Sequence, residues 1–157
     1  MGSANGDVEI RVDTTFRAEP YNNQINQYCL NVKTIRATLY SMPKVFIASN
    51  FGRGTCEYAT TLKHELKHVK MLKRTHTKEL PAFRKYLNDN ANNLPVFAPM
   101  SLSQINEEKQ NIANGIKDDL QNYMKTIEQE VEIRQQEVDS EEEYDHVLQR
   151  CDRWDRK

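Results

Sequence analysis

The sequence predicts an α+β domain: a small N-terminal β-sheet, then a central helix, then a long second helix packed against it. The first fifty residues contain short segments in which apolar residues alternate with polar ones, as in half-buried strands. Two later segments repeat apolar residues every three or four positions, the period of an amphipathic helix. The length of 157 residues is that of one domain.

Composition argues against a nucleic-acid partner and excludes an integral membrane protein. Lys and Arg total 22 against 23 for Asp and Glu, a net charge of −1, so no basic field predicts a nucleic-acid partner. No apolar run approaches the roughly 20 residues that a membrane span needs. Residues 1–7 lack the basic and apolar regions of a signal peptide. They resemble a vector-derived remnant, predicted to be unstructured, which leaves 8–157 as a single domain.

The predicted sheet occupies residues 8–50. Residues 8–12 and 32–40 alternate apolar and polar side chains, and 44–48 form a short apolar run. These three strands are expected to form one sheet. The Asn-rich stretch 22–27 is expected to be a loop or a short helix between the first two.

The first helical region covers residues 55–92. A Gly-containing turn precedes Thr55, which is a suitable N-cap. A core-facing stripe is predicted at Tyr58, Leu62, Leu66, Val69 and Leu72. Pro81 is expected to end or kink the helix, with a helical continuation to Asn90. The Asn- and Pro-rich stretch 88–99 then predicts a break.

The second helical region covers residues 101–154. A long helix is predicted to begin near Ser101 or Ser103 and to pack on a neighbouring helix through one apolar stripe. That stripe consists of Ile105, Ile112, Ile116, Leu120, Tyr123, Ile127, Val131 and Val138. Ser140 and Glu143 then form a capping box, which predicts a short final helix.

The informative motif is His-Glu-x-x-His at residues 64–68. At about 100° per residue, His64 and His68 lie about 40° apart and one turn along the same helix face. Two imidazoles so placed can bind one Zn²⁺ at about 2.0–2.1 Å. Leu62 and Leu66 are expected to project away and to bury the opposite face. The alternative is a Lys-rich solvated helix with two surface histidines.

This arrangement predicts zinc-dependent peptide hydrolysis. Zinc lowers the pKa of its water towards about 7, and Glu65 on the flank is predicted to be the general base. One alternative is a non-catalytic interaction module built on helix 101–138, with a structural or vestigial metal site. Another is a helical structural protein in which the histidines have no role and residues 139–146 lie far from residue 68.

Through residues 64–68 the sequence resembles the zincin metallopeptidases. Within that group it resembles small, uncharacterised bacterial exported proteins described as zinc proteases. The likeness extends to Tyr28-Cys29, the strand 45–48, the segments 54–58 and 139–144, and the end near 151–154. The resemblance implies a periplasmic or secreted location and a peptide or protein substrate.

The resemblance also implies a third protein ligand. Met71 and Arg74 stand where the metzincin pattern requires glycine and a third histidine, so that subclass is rejected, and His76 is expected to be a surface residue. A carboxylate from a later helix, as in gluzincins or aspzincins, is the expectation. Glu143 is the first choice, with capping as its alternative role, and Asp139 is the second. The other candidates are Glu141, Glu142, Asp145 and His146.

Three further features carry weaker expectations. Tyr144 would either donate to an oxyanion or be a buried structural residue. The strand 44–48 would either pair with an extended substrate or be a plain sheet edge. Cys29 and Cys56 lie at the sheet and at the start of the first helix, which suggests a disulfide between them.

Overall fold

A computed structural model describes residues 2–6, 8–152 and 154. The described residues form two small antiparallel sheets and three helices, so the α+β class is confirmed. The strands are β1 (Gly2–Asn5), β2 (Val8–Pro20), β3 (Tyr28–Ser41) and β4 (Lys44–Ile47), and the helices are α1 (Cys56–Asn92), α2 (Leu102–Val138) and α3 (Glu141–Leu148). The chain divides into two compact units.

The first unit comprises the described residues of 1–8, 41–80 and 126–157. In it β1 pairs antiparallel with β4, with Gly2 opposite Ile47 and Asn5 opposite Lys44. The expectation of an unstructured start is therefore wrong for residues 2–5. The backbone N–H and C=O groups on an edge of β4 need hydrogen-bond partners, and β1 supplies them.

The expectation of one sheet containing all three predicted strands is also wrong. Strand β4 pairs with β1, whereas β2 and β3 form a separate sheet. A period-two pattern identifies a strand but not its partner, because strand pairing depends on contacts between segments distant in sequence.

The second unit comprises residues 9–40 and 81–125. Its hairpin of β2 and β3 is joined by side-chain hydrogen bonds between Thr15 and Thr34 and from Tyr40 to Glu9. In the connection, Asn22, Asn23 and Asn26 have φ of 43°, 56° and 60°. Asparagine tolerates this left-handed region better than most residues. The Asn-rich stretch is therefore a loop, one of the two predicted alternatives.

Helix α2 follows its predicted apolar stripe. The buried side chains on it are Ile105, Ile112, Ile116, Leu120, Met124 and Ile127; Met124 was not in the predicted stripe. In the second unit, the α1 residue Tyr86 stacks on Tyr123 with ring centroids 4.4 Å apart. The expected packing of α1 on α2 is therefore present in this unit.

Helix α1 begins as predicted. The Thr55 hydroxyl accepts a hydrogen bond from the Tyr58 amide at 3.2 Å, and Gly54 has a φ of 92°, which favours glycine. Pro81 lies inside the helix, which continues to Asn92. A proline removes one backbone hydrogen bond, and this helix tolerates that loss.

The disulfide joins Cys56 to Cys151, and Cys29 is free. The suggested Cys29–Cys56 pair is therefore wrong, because Cys56 is bonded to Cys151. Within the first unit the disulfide fastens the start of α1 to the segment after α3. Beside it the Trp154 indole N–H donates to the Leu148 carbonyl at 2.7 Å, which holds this segment in place.

Candidate metal centre

The histidine face of α1 is the buried face. In the first unit the buried residues of this helix are Thr60, Thr61, His64, Glu65, His68, Leu72 and Thr75. Leu66 is 50 % exposed, so the expectation that it helps to bury the opposite face is wrong. The neighbouring elements present polar groups at this face, among them Gln135 and Asp139. These groups form hydrogen bonds with imidazole rings, which leucine side chains could not do.

Three ligand-type atoms converge at this face. The Nε2 atoms of His64 and His68 lie 3.2 Å apart. An Asp139 carboxylate oxygen lies 3.2 Å from the His64 Nε2 and 3.0 Å from the His68 Nε2. Both histidines are 6 % exposed. The i, i+4 spacing on α1 brings the two rings together, and Asp139 reaches them because it directly follows the last residue of α2.

These distances fit one zinc ion. Tetrahedral ligands at about 2.0–2.1 Å from zinc lie about 3.3–3.4 Å from one another, close to the 3.0–3.2 Å observed. Two imidazole nitrogens and a carboxylate oxygen are also the ligand types that zinc takes. The His68 Nδ1 donates to the Gln135 amide oxygen, which leaves the Nε2 lone pair directed to the centre.

Glu143, the first choice for the third ligand, lies beside this group. Its carboxylate forms an ion pair with Lys67 and lies 3.6 Å from the His64 Nδ1. The hydrogen bond from Lys67 lowers the pKa of Glu143, against the effect of burial. Its backbone amide donates to the Ser140 hydroxyl at 3.3 Å, so the predicted N-cap is present. The Glu143 carboxylate, which a capping box would direct to the Ser140 amide, contacts Lys67 instead. The geometry groups Asp139, the second choice, with the two histidines.

Glu65 is buried at the same centre. It is 3 % exposed, and its Oε2 has no hydrogen-bond partner among the described residues. Burial raises the pKa of this carboxyl, and His64 and His68 oppose that effect. A desolvated carboxylate with a free lone pair is a stronger proton acceptor than one in water.

A cavity of about 730 Å³ adjoins the centre. His64, Glu65, His68, Asp139 and Tyr144 line it, as do β1 and the last turns of α2. The Tyr144 hydroxyl donates to Asp139 at 3.4 Å. Burial, and then the Asp139 charge, raise the pKa of Tyr144, so the phenol keeps its proton and supports the carboxylate.

The remaining candidates lie away from the histidines. Glu141, Glu142, Asp145 and His146 are exposed and line a separate depression. His76 is half-buried rather than on the surface, and burial lowers its pKa. The contact between Asp139 and His68 contradicts the alternative in which residues 139–146 lie far from residue 68.

Sequence reasoning missed two contributors to the centre. Gln135 precedes Asp139 by one helical turn, and that spacing was an available signal. Strand β1 had no such signal, because four small or polar residues do not form an apolar pattern.

Among the described residues, no helix is long and apolar enough to cross a membrane. No family model, curated protein or solved structure matches the chain.

Proposed function

We propose that the protein is a zinc-dependent metallopeptidase of the zincin type. The observation that carries the proposal is the convergence of the His64, His68 and Asp139 donor atoms beside a buried Glu65 in an open cavity. When bound, zinc would supply the Lewis acidity that polarises a peptide carbonyl and makes water deprotonate near neutral pH. The chain's own residues supply the rest of the chemistry.

Glu65 is the proposed general base and then the general acid. Its unpartnered Oε2 accepts a proton from water, and the same oxygen returns a proton to the leaving amine. The raised pKa of Glu65 suits both steps, because a carboxyl whose pKa lies nearer neutral pH accepts a proton more readily and can still give it back. The Tyr144 and Gln135 side chains hold Asp139 and His68 in place through the hydrogen bonds described above.

The number of ligands favours an enzyme over an interaction module with a structural metal. Structural zinc sites have four protein ligands, whereas catalytic sites have three and an open position. The described residues supply three, and the cavity gives access to them. We also propose a periplasmic or secreted location, which the Cys56–Cys151 disulfide favours because such bonds persist in oxidising compartments.

Zinc stoichiometry is the first experiment. We expect about one zinc per chain in the wild type, its loss in His68→Ala, and its retention in His146→Ala, whose histidine is exposed and outside the centre. A chain that takes up no zinc after reconstitution, or an equal content in His68→Ala, would remove the proposed centre.

Hydrolysis is the second experiment. Glu65→Gln should keep the zinc and lower peptide hydrolysis by at least about 100-fold, the lower range for loss of a general base. Unchanged, chelator-sensitive hydrolysis in Glu65→Gln would exclude the proposed role of Glu65.

A further inference from the structure

Strand β1 forms one wall of the cavity at the metal centre. Residues 2–5 pair with β4 and are not the unstructured, vector-derived remnant that was expected. We propose that residues 2–6, here called the strap, occupy the position of an extended peptide substrate and compete with it. This inference rests on the proposed function for its catalytic consequence, but the occupancy itself can be tested without catalysis.

The strap covers the edge of β4 that faces the cavity. All four β1 residues pair with β4, and the sheet they form has two strands. Gly2, Ser3, Ala4 and Gly6 line the cavity, while none of the described β4 residues does. A peptide entering from the cavity therefore meets β4 by replacing the strap, through the same antiparallel pairing.

The strap also lies directly against the proposed general base. A Cβ atom added at Gly2 would lie 2.8 Å from the Glu65 Oε1 and 2.7 Å from the Phe46 carbonyl oxygen. Both distances are shorter than atoms tolerate, so this position requires glycine. The backbone at Gly2 therefore passes close to the Glu65 carboxylate.

The strap carries only small or polar side chains. Ser3 is exposed and Ala4 is half-buried, so no large apolar side chain anchors the strand, and two-stranded sheets are marginally stable by themselves. Beyond the strap, Val8 is the first buried side chain among the residues that the structure describes. Val8 keeps the chain attached, so a released strap stays close and rebinds.

The geometry also defines the competing ligand. It is an extended peptide that runs antiparallel to β4 and has its smallest residue, glycine, next to Glu65. A larger residue at that point meets the Phe46 carbonyl and the Thr61 methyl group.

The test releases the strap and measures access to the histidines in metal-free protein. Gly2→Leu should displace the strap, whereas Ser3→Leu is the matched control because Ser3 is exposed and has room for a larger side chain. A second variant lacks residues 2–6. We measure the diethyl pyrocarbonate modification rates of His64 and His68 by mass spectrometry, with His146 as the internal reference.

We expect both histidines to react about tenfold faster in Gly2→Leu and in the shortened chain, and at the wild-type rate in Ser3→Leu. The reason is that the wild-type strap is tethered beside the site and therefore occupies it at an effective concentration in the millimolar range. A synthetic Gly-Ser-Ala-Asn-Gly peptide at about 1 mM should restore protection to the shortened chain. The same peptide beginning with leucine should not. In zinc-loaded protein, release should raise kcat/KM for peptide hydrolysis by a similar factor.

Equal modification rates in all variants would overturn the inference, even if the protein hydrolyses peptides. Faster modification without protection by the added peptide would also overturn it, since the strap would then be a cover and not a substrate mimic. A third outcome is that the histidines react faster without the strap and are protected by the added peptide, while no zinc-loaded variant hydrolyses peptides. That outcome would support the inference about the strap and exclude the proposed function. If Gly2→Leu fails to fold, the shortened chain decides.

Discussion

At the scale of single residues, two acidic candidates four positions apart have different surroundings. Asp139 shares the donor group with the histidines, whereas Glu143 is held by Lys67 and faces the second nitrogen of His64. The sequence contains both carboxylates within five positions. Which one reaches the two histidine nitrogens depends on where α2 ends and on the ion pair with Lys67.

The first residue-scale prediction separates these roles. Asp139→Ala removes a donor atom and should lower zinc affinity by more than about 100-fold, whereas Glu143→Gln weakens only the support of His64 and should cost about tenfold. Competition with a chromophoric chelator measures both affinities. A larger loss in Glu143→Gln than in Asp139→Ala would reverse the assignment.

The second residue-scale prediction concerns pH and His76. Burial lowers its pKa below the ordinary 6.5, so the unfolded chain binds the proton more strongly. The stabilising contribution is therefore present above pH 6.5 and is lost as pH falls through the lower folded-state pKa. In His76→Leu, the free energy of unfolding should depend less on pH below about 6.5.

Urea unfolding at a series of pH values measures this effect. His146→Leu is the control, because that histidine is exposed, and its pH profile should match that of the wild type. A His76→Leu profile as steep as that of the wild type would show that other groups cause the acid sensitivity.

At the scale of elements, local signals located the helices well. The cap at Thr55 and the α2 stripe depend on residues three or four positions apart, so the sequence contains the complete signal. Strand partners could not be predicted in the same way, because β1 and β4 are separated by about forty positions and β1 has no apolar alternation. The prediction of which face of α1 is buried was also wrong, because the side chains that this face meets come from α2 and α3.

The element-scale prediction concerns the start of α3. The Ser140 hydroxyl accepts from the Glu143 amide, so Ser140→Ala should lower the free energy of unfolding by about 1 kcal/mol. Ser140→Asp should keep the cap and most of the stability. Urea unfolding compares the three proteins. Equal losses in both variants would mean that the cap does not stabilise this helix.

At the scale of the whole molecule, the disulfide closes a long loop. Cys56 and Cys151 are 95 residues apart, and a cross-link over about 100 residues is worth up to about 4.7 kcal/mol through the unfolded chain. The double variant Cys56→Ser and Cys151→Ser should lose stability of this order. Cys29→Ser, which removes the free thiol, should unfold at the wild-type urea concentration.

Alkylation provides an independent measurement of the same pairing. Unfolded, unreduced protein should take up label at Cys29 alone. Label on all three cysteines, or a Cys29→Ser variant as unstable as the double variant, would contradict the pairing.

The sequence by itself determined the α+β class, the positions of α1, α2 and α3, the two caps and the His-Glu-x-x-His spacing, because each depends on residues within a few positions of one another. The tertiary structure decided that Asp139 joins the histidines, that Cys56 pairs with Cys151, and that residues 2–5 pair with β4. Each of those contacts joins residues far apart in sequence, and their meeting depends on how separate elements pack, which no local pattern encodes.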